Sequence, residues 1–332
     1  MAKDMSTLST GTHLALGAIR AAGNLLSHLR RRPGSVCILT YHRVLPAADP
    51  LLTQDPDIAT FRWQMELLSR YFNVLPLHEA VAALATQHVP PRAVSITFDD
   101  GYASTHDLAL PVLQEFGLPA TVFVTSAYVG HDNMWNDRIV EAVRRFSGDT
   151  LDLRAQGQGM LPCRSQSEKV LAAKQLTQAA KYLPQPVREE LAESLEALTG
   201  SGERRALMLT PEMLRTLAAN GVEIGAHSVS HPILANIDDA QARLEMIDSK
   251  AQLEAITGRP VRYFAYPNGK VGMDFDERHT RMAREAGYAA AFASSTLAAT
   301  AHHDPYQIPR CHPWDATPAM FGLRLLRWHA GI

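Results

Sequence analysis

Two adjacent carboxylates close an apolar run in Thr97-Phe98-Asp99-Asp100-Gly101, and neighbours in such a place point in different directions. One can ligate a metal while the other moves a proton. Alone, the pentad is also ordinary turn chemistry after a strand. A second apolar run, Val222-Glu223-Ile224-Gly225-Ala226, is followed by His227-Ser228-Val229-Ser230-His231. Imidazoles four residues apart reach a common divalent ion from one side of a helical turn or across a tight loop. With Asp100 as metal ligand and Asp99 as general base, the set leaves coordination positions for water and substrate. That pattern is catalytic rather than structural. Zinc is the first expectation, and cobalt, nickel, manganese or iron also suit imidazole and carboxylate donors.

A third run, Arg262-Tyr263-Phe264-Ala265-Tyr266, enters a Pro267-Asn268-Gly269 turn, and an early one reads Leu39-Thr40-Tyr41-His42-Arg43-Val44. On these elements the chain, over about residues 36–312, resembles the polysaccharide deacetylase family, the NodB-homology carbohydrate esterases. Their signatures TFDDG, HxxxH and Pro-x-Gly occur in this order, and the YHxV element is similar to that of the subgroup attached to surface-polysaccharide and exopolysaccharide synthesis. The resemblance implies a metal-dependent deacetylase that hydrolyses the N-acetyl amide, or an O-acetyl ester, of an amino-sugar-containing glycan or glycan precursor. It also implies an oxyanion role for the backbone N–H of Asn268 and a histidine that protonates the leaving amine. In place of the late Leu-x-His of the family stands Ile308-Pro309-Arg310-Cys311-His312, so His42 is the expected donor and His312 the alternative. Many members carry an arginine two places before the proline of the third motif to pair with the base. Ala265 occupies that place here, which leaves Arg310 or Arg43, or no cation, beside Asp99 and the substrate.

Tyr266 and Trp135, the latter in Met134-Trp135-Asn136-Asp137, are candidates for a wall on which a sugar stacks. Two other classes remain open at this point. A deformylase or amidase of the same superfamily would use identical metal chemistry on a lipid-linked sugar or a non-sugar amide. A non-catalytic carbohydrate-binding barrel is disfavoured, because buried Asp, Asp, His and His are costly to keep without an ion.

Strands that position these residues are expected at Val36–Tyr41, Asn73–Leu75, Val94–Asp99, Ala120–Thr125, Val222–Ala226, Tyr263–Tyr266, Tyr288–Phe292 and Tyr306–Arg310, with helical patterns between most of them. Thr210-Pro211 and Asp238 open helices, and Gly221, Gly258 and Gly287 close them. Alternating strand and helix implies parallel pairing, and the predicted fold is an α/β, distorted (β/α)7-8 barrel over about residues 35–332. His42, Asp99, Asp100, His227, His231 and Asn268 then share the carboxyl rim, where such barrels place their chemistry. A helical insertion is expected at about residues 147–202, with two helices broken at Pro184 and Pro186.

The 332 residues are 46% apolar and 20% charged, enough for a large core, and a net charge of −2 offers nucleic acid no electrostatic attraction. Cys37, Cys163 and Cys311 include no CxxC pair and are expected as free thiols of a reducing compartment. No run of 18 apolar residues spans a membrane. In the segment Leu8 to Leu29 the basic cluster Arg30-Arg31-Arg32 follows the apolar part and Asp4 precedes it, the reverse of a secretory leader. Leu14, Ala18, Ala22, Leu25 and Leu29 form a helical stripe, so residues 1–34 read as an amphipathic helix and basic linker. That helix either docks on the barrel or lies on an anionic membrane through residues 8–32. The expectation is a cytoplasmic enzyme, peripheral at the inner membrane face, meeting lipid-linked or nucleotide-linked sugars.

Overall fold

The computed structural model describes residue 17 and residues 34–131, 133–200, 206–312 and 315–331. The expected N-terminal helix and its arginines lie outside the described residues, apart from Gly17. Among the described residues, no helix is long and apolar enough to cross a membrane. The chain divides into two compact units, one of Met1–Ala47, Gln54–Val129 and Leu209–Ile332, the other of Ala48–Thr53 and Gly130–Met208.

In chain order the strands are β1 (Ser35–Tyr41), β2 (Asn73–Val74), β3 (Ala93–Phe98), β4 (Thr121–Val124), β5 (Thr150–Leu153), β6 (Gly159–Pro162), β7 (Glu223–Ala226), β8 (Tyr263–Ala265), β9 (Ala290–Ser294), β10 (Ala299–Thr300) and β11 (Ile308–Arg310). The first unit holds a nine-stranded sheet ordered β10-β1-β3-β4-β7-β8-β9-β11, with β2 also paired to β3. All pairings are parallel except that of the short β10 with the start of β1. After β11 the chain returns to β1: Leu39 bridges Cys311, Thr40 N donates to Cys311 O at 2.8 Å, and Cys311 N donates to Ile38 O at 2.8 Å. Seven parallel strands thus form a ring, the barrel that alternating strands and helices imply.

Period-2 alternation sorts the side chains. Leu39, Ile96, Val122, Val124, Ile224, Phe264 and Ala291 belong to the large core shared with the surrounding helices. Val36, Ile38, Phe123, Tyr263, Ala265, Phe292 and Ile308 form a second cluster, in which Phe292 contacts Phe123 and Tyr263 at ring-centroid distances of 5.4 and 5.8 Å. Gly225 makes room for this layer, because a Cβ there would lie 2.5 Å from the Phe123 ring. Continuing the inner positions two by two toward the carboxyl rim reaches His42, Asp99, His227, Arg310 and His312. The helices are fixed by local chemistry: Asp57, Thr210 and Asp238 each accept a backbone N–H at the starts of Ile58–Tyr71, Pro211–Ala219 and Asp239–Thr257.

The second unit is wider than the expected insertion at about 147–202. It adds the helix Trp135–Arg145 and the segment Ala48–Thr53 to the helices Gln166–Lys181 and Gln185–Thr199, and it contains the antiparallel hairpin β5–β6. Its core is Ile139, Val143, Leu151, Leu153, Leu176 and Leu195, and Arg138 binds Glu189 at 2.7 Å and Glu196 at 2.8 Å. The three cysteines are free and buried.

Candidate active site

The end of β3 delivers both carboxylates. Asp99 N donates to Tyr41 O at 2.9 Å and so continues the sheet, and its side chain follows the inner alternation. Asp100 breaks that alternation with a φ of +72°, which turns its side chain away from the direction the pleat dictates. Gly101 follows at φ +90°, where a Cβ would also lie 2.9 Å from the Val124 side chain. The adjacent β4–β7 pair brings in the histidines: His227 N donates to Val124 O at 2.9 Å and extends β7 by one residue. Ser228 and His231 then take φ of +66° and +59°, folding the loop back so that both rings face Asp100.

Asp100 Oδ1 lies 3.5 Å from His227 Nε2 and 3.4 Å from His231 Nε2, and the three ligand atoms lie within 4.8 Å of one another. The donor set is one carboxylate oxygen and two imidazole nitrogens, which suits a divalent ion of the zinc, cobalt, nickel, manganese or iron kind. His227 Nδ1 lies 2.8 Å from Ala265 O. A carbonyl can only accept, so Nδ1 carries the hydrogen and Nε2 presents its lone pair toward Asp100, the tautomer a metal ligand needs.

Asp99 has a different environment. Arg310 NH1 and NH2 donate to its two carboxylate oxygens at 2.7 Å each, and NH1 also reaches Thr97 Oγ1 at 3.2 Å. The guanidinium rests over the Phe123 ring, 4.9 Å from its centroid. Burial pushes the Asp99 carboxyl up, but the charges of Arg310 and His227, the guanidinium hydrogen bonds and the charge of His42 outweigh it and hold the group well below the usual carboxylate range. Of the arginines left open by the sequence, Arg310 is therefore the partner of Asp99. Arg43 pairs instead with Asp55 at 3.0 Å and lies over Tyr102, 4.3 Å from the ring centroid.

His42 and His312 stack at 6.0 Å between ring centroids. Burial lowers His312 to about 4, helped by the charges of His42 and Arg310 and opposed by that of Asp99. Asn268, in the turn after β8, is half-buried at φ +59°. Gly269 beside it has a φ of +74°, its carbonyl accepts from Ser294 N at 2.8 Å, and a Cβ would lie 2.8 Å from that same nitrogen.

The family model described as "Polysaccharide deacetylase" matches residues 86–291, which hold both carboxylates, both metal-type histidines and the Pro-Asn-Gly turn. The chain belongs to the polysaccharide deacetylase family. Members are hydrolases of carbon–nitrogen bonds other than peptide bonds. Among similar proteins, Bacillus subtilis YxkH is 20% identical over 292 residues, covering 88% of this chain and 75% of that protein. The poly-β-1,6-N-acetyl-D-glucosamine N-deacetylase of Staphylococcus epidermidis is 28% identical over 179 residues, covering 47% of this chain and 62% of that enzyme. Among solved structures, the Streptococcus pyogenes deacetylase PplD in complex with acetate superposes with a TM-score of 0.58 at 18% identity, covering 90% of this chain and 99% of that one. The likeness supports the barrel fold.

In this deacetylase the two aromatic candidates for a stacking wall are core residues. Tyr266 follows Phe264 on the helix-facing side of β8; it is 1% exposed, stacks on Phe275 at 3.7 Å and donates its hydroxyl to Tyr306 O. Trp135 is 7% exposed in the core of the second unit, with the Arg188 guanidinium 4.8 Å from its ring centroid. Neither ring leaves a face open to a sugar. The loop between the two histidines also has a partner that no motif announces. Glu245, on the helix Asp239–Thr257, accepts from Val229 N at 2.7 Å, Ser230 N at 2.8 Å and Ser230 Oγ at 2.6 Å.

Proposed function

We propose that the protein is a divalent-metal-dependent N-deacetylase of an amino-sugar glycan, with acetate and a free amino sugar as products. The observation that carries this reading is the convergence of Asp100, His227 and His231 beside a second carboxylate locked to Arg310. Asp100, His227 and His231 would hold the ion, which supplies Lewis acidity that lowers the pKa of water and polarises an acyl oxygen. Asp99, kept ionised and oriented by Arg310, accepts the proton of the water that attacks the acetyl carbonyl carbon.

Asn268 offers its backbone N–H to the developing oxyanion, and the left-handed turn sets its direction. As the carbon–nitrogen bond breaks, His42 gives a proton to the departing amine. His312, depressed to about 4, is a neutral imidazole at pH 7 and serves by packing against His42. The Staphylococcus epidermidis relative carries poly-β-1,6-N-acetyl-D-glucosamine in its name, which favours a β-linked N-acetylglucosamine glycan as substrate. Lipid-linked and nucleotide-linked N-acetyl sugars are the precursor forms of the same chemistry, the ones a cytoplasmic enzyme at the inner membrane face would meet.

The test is acetate release from β-1,6-linked N-acetylglucosamine oligomers, with lipid-linked and nucleotide-linked N-acetyl sugars as parallel arms, each with and without a chelator. Acetate that disappears with chelator and returns with zinc is expected. Asp99→Asn should lower turnover by about 10²–10⁴-fold and leave the bound metal content unchanged. Formate or ammonia in place of acetate would assign a sister hydrolase, and undiminished turnover in Asp99→Asn would remove the base from the scheme.

A further inference from the structure

We infer that Glu245 is a positioning residue for the loop that carries the two histidine ligands, and that it sets how tightly the ion is held. The inference rests on the reading of Asp100, His227 and His231 as an ion site. Three residues separate the histidines, and two of the five, Ser228 and His231, occupy left-handed conformations that side chains with a β-carbon resist. A loop of this kind keeps its shape only when its surroundings over-determine it.

The fastenings come from three directions. The carbonyls of Ser228 and Val229 accept from Ser126 N at 3.1 Å and Ala127 N at 2.9 Å, on the turn that follows β4. Within the loop, Ser228 Oγ accepts from His231 N at 3.0 Å. The opposite edge belongs to Glu245, whose Oε2 takes the N–H groups of Val229 and Ser230 while Oε1 takes the Ser230 hydroxyl. A carboxylate receiving three such bonds is satisfied without a cationic partner, and each bond is stronger for being charge-assisted. The residues so gripped are the two immediately preceding His231, the ligand whose half-buried ring closes the triad. Glu245 touches neither the ion nor the substrate; it acts through the backbone, as outer partners of metal ligands do.

Titration of the metal-free full-length protein with zinc against a competing chelator measures the effect without recourse to activity. Glu245→Ala should weaken zinc binding by about 10- to 100-fold and alter the visible absorption of the cobalt-loaded protein, because the His231 ring is no longer held toward Asp100. Glu245→Gln retains one acceptor oxygen and should fall between alanine and wild type, a rescue that a generic packing defect would not give. Ser230→Ala removes only the hydroxyl bond and should cost about three- to tenfold, which keeps the inference open to refutation if Glu245→Ala does not fold. Wild-type zinc affinity and cobalt spectrum in Glu245→Ala, or in both Glu245→Gln and Ser230→Ala, would overturn it and leave the ion site standing. A wild-type protein that takes up no divalent ion would overturn both.

Discussion

At the carboxyl end of the barrel, Asp99 receives two guanidinium hydrogen bonds at 2.7 Å and is held ionised. At the amino end, Glu223 opens β7 with the His78 imidazole at 3.8 Å and the Arg262 charge nearby, yet burial wins and its carboxyl is pushed up. Both acids sit on strands of one sheet and both have cations near. What separates them is geometry, since a planar fork that satisfies both oxygens repays desolvation and a distant imidazole does not. The backbone shows the same asymmetry. Of the non-glycine residues with positive φ among the described residues, Asp100, Ser228, His231 and Asn268 lie at the carboxyl rim, against Gln87 and Arg92 elsewhere. Strain concentrates where side chains must be aimed against the pleat.

Removing the fork should break this comparison most visibly. Arg310→Met leaves Asp99 buried without its counter-charge, so the metal-free protein should lose about 3–5 kcal/mol in urea unfolding. Adding Asp99→Asn to that variant should restore part of the loss, since no uncompensated charge then remains. A cost below about 1 kcal/mol would mean that the fork contributes no more than the contacts around Glu223.

The fork also marks where sequence reasoning stops. Asp99 and His227 were legible because each directly follows an apolar strand and period 2 carries its side chain to a known face, whereas Asp100 and His231 were legible only as motif neighbours, since left-handed backbone rather than the pleat aims them. Arg310 stayed one of three alternatives because its partner is more than two hundred residues away and only ring closure brings them together. The same alternation, applied to β8, places Tyr266 with Phe264 on the helix side, so its burial was within reach of the pattern. Glu245 was not: it sits mid-helix at no fixed spacing from the histidines, and only the folded loop reveals its three bonds. Nor could the sequence announce that Ala48–Thr53 joins Gly130–Met208 in one unit, because a six-residue segment carries no periodicity of its own.

A histidine at each end sharpens the comparison through acid stability. Burial, with the charges of His42 and Arg310, lowers His312 at the carboxyl rim to about 4. Burial and the charge of Arg92 lower His329, beside Ser35 at the start of β1, to about 4 as well. An unfolded chain protonates these rings near pH 6.5, whereas the folded one resists until about 4. The stability these two rings contribute is therefore complete above pH 6.5 and drains away as the pH falls toward 4. Each ring contributes at most about 3 kcal/mol to that decline. The thermal midpoint of the metal-free protein should drop across this window, and His312→Gln or His329→Gln should each flatten the drop. A midpoint unchanged between pH 6.5 and 4 would show that neither ring resists protonation.

The smallest effect is expected at the amino end itself. Glu223→Gln replaces a carboxyl that burial already disfavours in its charged form with a neutral group of the same shape. A folded-state pKa above the unfolded value means that stability is present at low pH and is lost as the pH rises through the folded pKa, so the substitution should remove that loss. At pH 7 the variant should match or exceed the wild type in stability, and its advantage should vanish in acid, where the wild-type carboxyl is protonated anyway. Asp99→Asn run beside it should do the opposite, because it leaves the Arg310 guanidinium buried with half its bonds weakened. Two acid-to-amide changes of equal size and opposite sign on one sheet would attribute the contrast to pairing geometry alone. Equal destabilisation by both would instead mean that His78 and Arg262 hold Glu223 as firmly as Arg310 holds Asp99.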